Sequence, residues 1–193
     1  MESIGWVRMA SWVGGALLSM AVAVAAHAEG LEFARLMQLL AATPASEVAF
    51  TEKKFSSLLS EPVVSSGILL YRRPDFVEKK IETPRNESYR FVGDELVIAR
   101  NGAERRIPLS SQPLISAFAA SLRGTLGGDL ALLRNYYQLS LQGDELSWRL
   151  DMAPVDPEIG RYVQRITVSG RAGRISQIET LEVSGDRSVL QVR

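Results

Sequence analysis

The chain has 193 residues, 22 basic and 22 acidic side chains, one histidine and no cysteine. Balanced charge argues against a nucleic-acid partner, which calls for a basic excess, and the missing cysteines exclude a disulfide framework. The one histidine, His27, falls in a segment expected to be removed, so a Ser-His-Asp triad, a Cys-His pair, the usual zinc sites and haem ligation are closed to the mature chain.

Residues 1–28 read as a signal peptide: Arg8 in a short head, an apolar run over residues 9–26, and the small-x-small site Ala26-His27-Ala28. A membrane anchor is the alternative, since the run is about long enough to span a bilayer; its Ala, Gly and Ser content and the processing site oppose it. No cysteine follows, which excludes a lipid-anchored form. The remainder, residues 29–193, suits one domain with its own core, and with Glu2 and Arg8 gone the two signs of charge still balance.

Leu31, Phe33, Ala34, Leu36, Met37, Leu39 and Leu40 fall largely on helical spacing, with Glu32, Arg35 and Gln38 between them, and Thr43-Pro44 ends the helix. It either closes one end of a sheet or borders a lipid site. Residues 47–56 alternate as a first strand, with Val48, Phe50, Glu52 and Lys54 on one side. Residues 67–72, GILLYR, are a second strand, apolar on both faces, as a strand covered on both sides would be. Pro74 breaks it. Residues 76–83 form a charged strand, at an edge or with one face in water. Tyr89–Val92, a Gly93-Asp94 turn and Glu95–Arg100 make a hairpin; Asn101-Gly102, the strongest hairpin signal in the chain, leads into residues 104–109.

The period then changes. Pro113 suits the first turn of a helix, with Leu114, Ile115, Phe118 and Leu122 at helical spacing, small residues between, and Gly124 as a stop. A helix so poor in charge must lie on something apolar. Asp129 caps a second short helix through Leu130, Leu132 and Leu133. Residues 137–142 and 145–152 form a hairpin, with Leu146, Trp148, Leu150 and Met152 alternating. Residues 154–160 are a loop, residues 162–169 and 174–183 a further hairpin, and residues 188–192 the last strand. The four Gly-Asp pairs are turn and cap chemistry, since calcium-loop spacing is missing. The acidic residues are scattered among turns and strand faces, as solvated charges are; a carboxylate pair of the glycosidase kind is the one enzyme reading left open.

The pattern is therefore α+β: nine to eleven short strands in an antiparallel meander, one helix in front and two inserted midway. Sheets of that size curl, and apolar helices over a curled sheet enclose a concave interior able to hold a long apolar ligand. Removing acyl chain from water yields about 0.8 kcal/mol per methylene, so about sixteen carbons supply on the order of ten kcal/mol before binding entropy is subtracted. On this reading Phe50, Leu69, Tyr71, Phe76, Tyr89, Phe91, Ile98, Leu114, Phe118 and Trp148 line the cavity. The alternative is a filled core and a scaffold domain that binds a protein partner by a sheet edge or surface patch.

The front helix, FTEKKF in the first strand, GILLYRRPDF with its Arg-Pro, the helical insertion after Asn101-Gly102 and the late hairpins ending near GDRS resemble the periplasmic lipoprotein carriers, the LolA-like family. The resemblance implies an open, strongly curved antiparallel sheet, an incomplete barrel, with helices forming a lid over an apolar cavity. It implies a monomeric, non-enzymatic periplasmic carrier without cofactor, which takes acylated cargo from an inner-membrane ABC transporter to an outer-membrane acceptor. Arg73, before Pro74, matches the family arginine that latches the lid through lid backbone; Arg72 is the alternative. Leu70 and Tyr71 stand where the family often carries Trp, and Trp148 is the one tryptophan beyond the expected leader. The spacing is nearer a divergent branch, whose cargo is a lipoprotein, a glycolipid or an acylated pigment.

Overall fold

The computed structural model describes residues 31–43 and 45–193; the expected signal peptide lies outside them. Among the described residues no helix is long and apolar enough to cross a membrane. The order is α1 (Phe33–Ala41), β1 (Ala45–Phe55), β2 (Val63–Arg72), β3 (Phe76–Thr83), β4 (Glu87–Val92), β5 (Glu95–Arg100), β6 (Ala103–Pro108), α2 (Pro113–Gly127), α3 (Leu130–Tyr136), β7 (Tyr137–Asp144), β8 (Ser147–Pro154), α4 (Pro157–Gly160), β9 (Val163–Arg171), β10 (Arg174–Glu182) and β11 (Arg187–Val192).

Eleven strands form one sheet in the order β6-β5-β4-β3-β2-β1-β11-β10-β9-β8-β7. Every pairing is antiparallel, and β1 against β11 joins the two meanders. The edges, β6 and β7, stay unpaired with each other, so the sheet is an open, curved antiparallel sheet, as the sequence pattern leads one to expect. Asn101 and Gly102 both take positive φ, 52° and 78°, the geometry of a two-residue type I′ turn.

β3 is not an edge strand. It lies between β2 and β4, and Glu78 and Lys80 project from the face opposite Val77, Lys79 and Ile81. Ile68 and Leu70 of β2 share that outer face, directly across from Lys80 and Glu78. They are half-buried, so β2 is covered on one side by the fold and on the other by long charged side chains whose stems shield apolar neighbours.

The concave face carries two apolar clusters. The first is filled: Leu36, Met37 and Leu40 of α1 pack with Ala117 of α2, Leu133 of α3, and Trp148, Leu150, Met152, Ile166 and Val168 of β8 and β9. Helix α1 spans this half. Leu31 N–H donates to the Gly143 carbonyl at 3.0 Å, and Arg35 pairs with Glu145 at 2.6 Å. The second cluster is smaller, with Tyr71, Val77, Phe91 and Leu96 on β2–β5 under Ala119 of α2. Between the clusters, and beneath α2, the sheet is not filled by side chains.

Candidate functional site

That space is a cavity of about 1270 Å³, larger than the usual ~300–1,000 Å³ of small-molecule pockets. The register arranges the residues of the concave face, cavity wall and filled core alike, in rows across the strands. The row nearest the helices runs Ser46, Tyr71, Val77, Phe91, Leu96, Ile107. The next runs Val48, Leu69, Lys79, Tyr89, Ile98. A third, beyond these along β1, runs Leu150, Val168, Ile178, Leu190, Glu52, Ser65. Alternation brings each row to one face.

Helix α2 is the roof. Its Leu114, Ile115, Phe118, Leu122 and Leu126 border the cavity, while Ala117, Ala120, Ser121 and Gly124 are buried among the helices and core. The small residues allow close approach: a Cβ on Gly124 would stand 2.7 Å from the Leu133 side chain. The roof is pinned by backbone carbonyls. Arg73 donates to the Ala41 and Gly127 carbonyls, at the C-terminal ends of α1 and α2, where unpaired carbonyls and the helix dipole favour a cation. Arg123 reaches from α2 to the turns that follow β2 and β4, donating to Asp75 O at 3.1 Å and Gly93 O at 2.6 Å, with its guanidinium over the Phe91 ring. Tyr137 O–H donates to the Ala117 carbonyl at 2.7 Å, and burial pushes its phenol up to about 12.

Of the residues expected at the cavity, Leu69, Tyr71, Tyr89, Phe91, Leu114 and Phe118 border it. Phe91 and Phe118 pack against each other at its border as a tilted pair, with ring centroids 6.4 Å apart. Phe50 faces the same side but is buried, with the Lys79 ammonium 5.2 Å from its ring centre. Ile98 packs against the smaller cluster. Phe76 projects from the outer face under the Arg72 guanidinium, and Trp148 belongs to the filled core. Arg73 makes backbone contacts to the roof helices; Arg72 sits on Phe76 instead. Sequence reasoning missed Arg123, although it is the one charge in PLISAFAASLRGTLG.

It also missed the polar group in the wall. Glu52, 6% exposed, accepts from Lys79 Nζ at 2.6 Å, Ser188 Oγ at 2.7 Å and Ser65 Oγ at 3.3 Å, donors from three other strands. Burial alone would raise the Glu52 carboxyl; the charge and hydrogen bond of Lys79, with Ser188 and Lys54, outweigh burial and hold it below its ordinary value. Burial draws the Lys79 ammonium down, against the pull of Glu52.

A carboxyl whose folded pKa lies below its unfolded one stabilises fully above the unfolded value, about 4.3, and loses that contribution as pH falls through the folded value. Urea unfolding between pH 7 and pH 3 should therefore show stability falling below about pH 4.3, and Glu52→Gln should show a shallower fall. The residual slope belongs in part to Asp151, where burial is outweighed by Arg149 and Thr167. An unchanged slope in the variant would contradict the ionised pair.

The fold and site together define a curved half-barrel with a helical roof over a largely apolar cavity. The family profile described as "Outer membrane lipoprotein carrier protein LolA-like" matches residues 25–191, and the chain belongs to that family. Among solved structures it is similar to a putative outer membrane lipoprotein-sorting protein domain from Vibrio parahaemolyticus, at 11% identity and TM-score 0.50, covering 84% of this chain and 89% of that one. It is also similar to a LolA superfamily protein from Nitrosomonas europaea, at 13% identity and TM-score 0.43, covering 82% and 88%. The lipoprotein LppX of Mycobacterium tuberculosis matches at 11% identity and TM-score 0.39, covering 83% and 92%. At these identities the likeness concerns the fold. No curated protein matches the sequence.

Proposed function

We propose that this protein is a periplasmic, non-enzymatic carrier that hides the acyl chains of a lipoprotein or related lipid during passage from the inner to the outer membrane. The observation that carries this reading is the cavity of about 1270 Å³ beneath α2. Its roof offers five aliphatic or aromatic side chains, and the facing strands add Leu69, Tyr71, Val77, Phe91 and Leu96. Such a wall gains free energy only by removing apolar surface from water, at about 25 cal/mol per Å². Family membership supports the cargo class and the exported location. The signal peptide, the single domain over residues 29–193, the monomeric state and a transporter and acceptor on either side belong to the same proposal.

The mouth suits exchange. Leu59 and Val63 border the cavity where β1 turns into β2, and Leu58 beside them is 91% exposed. Cargo enters and leaves when the roof tilts away from the sheet, which requires releasing Arg73 and Arg123 from their carbonyls. A small difference in free energy between the two roof positions serves a carrier better than a tight lock.

Titration with a fluorescent acyl probe tests the reading: saturable binding supports it, and a protein that ignores the probe contradicts it. Arg123→Met keeps the stem packing and removes the two hydrogen bonds, each of a kind worth about 1.5–3 kcal/mol when desolvated and less where water reaches. Probe dissociation measured by stopped flow should accelerate about tenfold, in line with about 1.4 kcal/mol. An unchanged dissociation rate would mean that Arg123 does not hold the roof.

A further inference from the structure

The Glu52–Lys79 pair is out of place in a cavity whose only task is to be apolar. Removing an ion pair from water costs more than its Coulomb energy returns unless other hydrogen bonds complete it, and well-packed apolar side chains in its place are often as stable or more so. Here the carboxylate is completed by Ser65 and Ser188, yet the ammonium is not. Lys79 Nζ has three N–H groups; it donates to Glu52, leans on the Phe50 ring, and borders the cavity with a side chain 23% exposed. Lys54, on the same face of β1, adds a second cation at the wall, and Ser188 stands opposite it across the β1–β11 ladder.

The placement is also directional. Glu52 lies six residues along β1 from Ser46, which marks the row under the roof, a distance of about 20 Å at ~3.3 Å per residue. The wall is apolar at the roof end, around Tyr71, Val77, Phe91 and Leu96. Farther along β1 it becomes polar, around Glu52, Lys54, Thr180 and Ser188, and the Lys79 side chain reaches there from the row of Val48 and Leu69. A few placed polar groups in an otherwise apolar pocket fix the orientation of what binds.

We infer that the Glu52–Lys79 pair is a headgroup seat, where Lys79 donates to an acceptor oxygen at the junction of acyl tail and head while the tail runs toward α2. The ligand class is an amphiphile with a carbonyl or carboxylate oxygen next to its chain, as in an acyl ester, an acyl amide or a fatty acid. The seat rests on the carrier reading above and narrows its cargo. Glu52 aims the ammonium, and the ligand's acceptor oxygen takes over hydrogen bonding from water that the incoming tail expels; such charge-assisted bonds are about twice as strong as neutral ones.

Displacement of the apolar dye 1-N-phenylnaphthylamine tests this with three competitors of equal chain length, each below its micelle threshold: a monoacylglycerol, a fatty acid and an alkyltrimethylammonium, which has no acceptor. The ester and the acid should each displace the dye at about tenfold lower concentration than the ammonium compound. Glu52→Met/Lys79→Met removes both charges together and leaves no uncompensated ion. In it the three competitors should become equal, each potency being read against dye bound to the same variant. Equal potency in the unaltered protein, or a preference that survives the double substitution, overturns the seat and leaves the carrier standing. A protein that binds neither dye nor competitor overturns both. A preference for the acid alone assigns the seat to free carboxylates; a preference shared by the ester assigns it to acyl carbonyls in general.

Discussion

Phe118→Glu should abolish acyl binding, with a loss of at least a hundredfold in affinity and an unchanged far-ultraviolet circular dichroism spectrum. Phe118 hangs from the roof opposite Phe91 and is 39% exposed although it points at the sheet, because what it faces is the cavity. Its contribution to the folded protein is therefore small, and its contribution to a bound chain is large. Burying a phenylalanine side chain against a ligand is worth about 1.5–3 kcal/mol. A carboxylate in its place would also have to shed its water as the tail arrives, at several kcal/mol. Together these exceed the 2.7 kcal/mol or so that corresponds to a hundredfold. Retained binding would remove α2 from the site.

Trp148→Ala should do the reverse. Trp148 is 2% exposed in the filled core, its Nε1–H donates to the Ala172 carbonyl at 2.8 Å, and its ring lies so near Gly170 that a Cβ there would meet it at 2.4 Å. Deleting a tryptophan from such a site costs about 3–5 kcal/mol, which for a domain of this size lowers the melting temperature by about 10 °C. Acyl affinity at a temperature where the variant is folded should change by less than about threefold, under ~0.7 kcal/mol. A loss under 1 kcal/mol, a threshold taken from the usual spread of core substitutions, would contradict the packing described. A loss of affinity comparable to that of Phe118→Glu would put Trp148 on the cavity wall.

These two residues also show what a sequence reveals about such a fold and what it withholds. Alternation correctly groups Leu150 and Met152 with Trp148 on one face. It does not say whether the space over that face is occupied, which is decided by α1 and α3 coming from elsewhere in the chain. Facing is equally silent at Phe76: the Arg73–Asp75 turn separates it from β2, and its neighbour Val77 turns inward instead. The sequence puts Glu52 and Lys54 on the side of Val48 and Phe50, but the partner of Glu52 is legible only once β1, β2 and β3 are in register.

Local signals fared according to whether packing overrode them. Asp129 caps α3 through the Leu132 N–H at 2.9 Å, as its position suggests. Gly124 does not end α2; the helix runs on to Gly127 and closes at Gly128 in the left-handed region. Gly124 is there because Leu133 occupies the place of its Cβ, a packing requirement that resembles a stop signal in sequence. The expected loop over residues 154–160 contains α4, whose cap, Asp156 before Pro157, accepts from the Glu158 N–H at 2.8 Å. That signal was present in the sequence and brief enough to pass as a turn. β2 begins at Val63, four residues before the expected start, because Val63 and Val64 pair with Lys54 and Lys53 of β1.

The central claim is that the space under α2 holds acyl chains. Native mass spectrometry of the protein purified from a bacterial periplasm, with organic extraction of whatever accompanies it, tests that claim most directly. A co-purified acylated species, released by solvent and lost in Phe118→Glu, is the result this structure predicts, and its mass distinguishes lipoprotein from glycolipid cargo. A bare protein that also fails to take up an added acyl probe would contradict the claim.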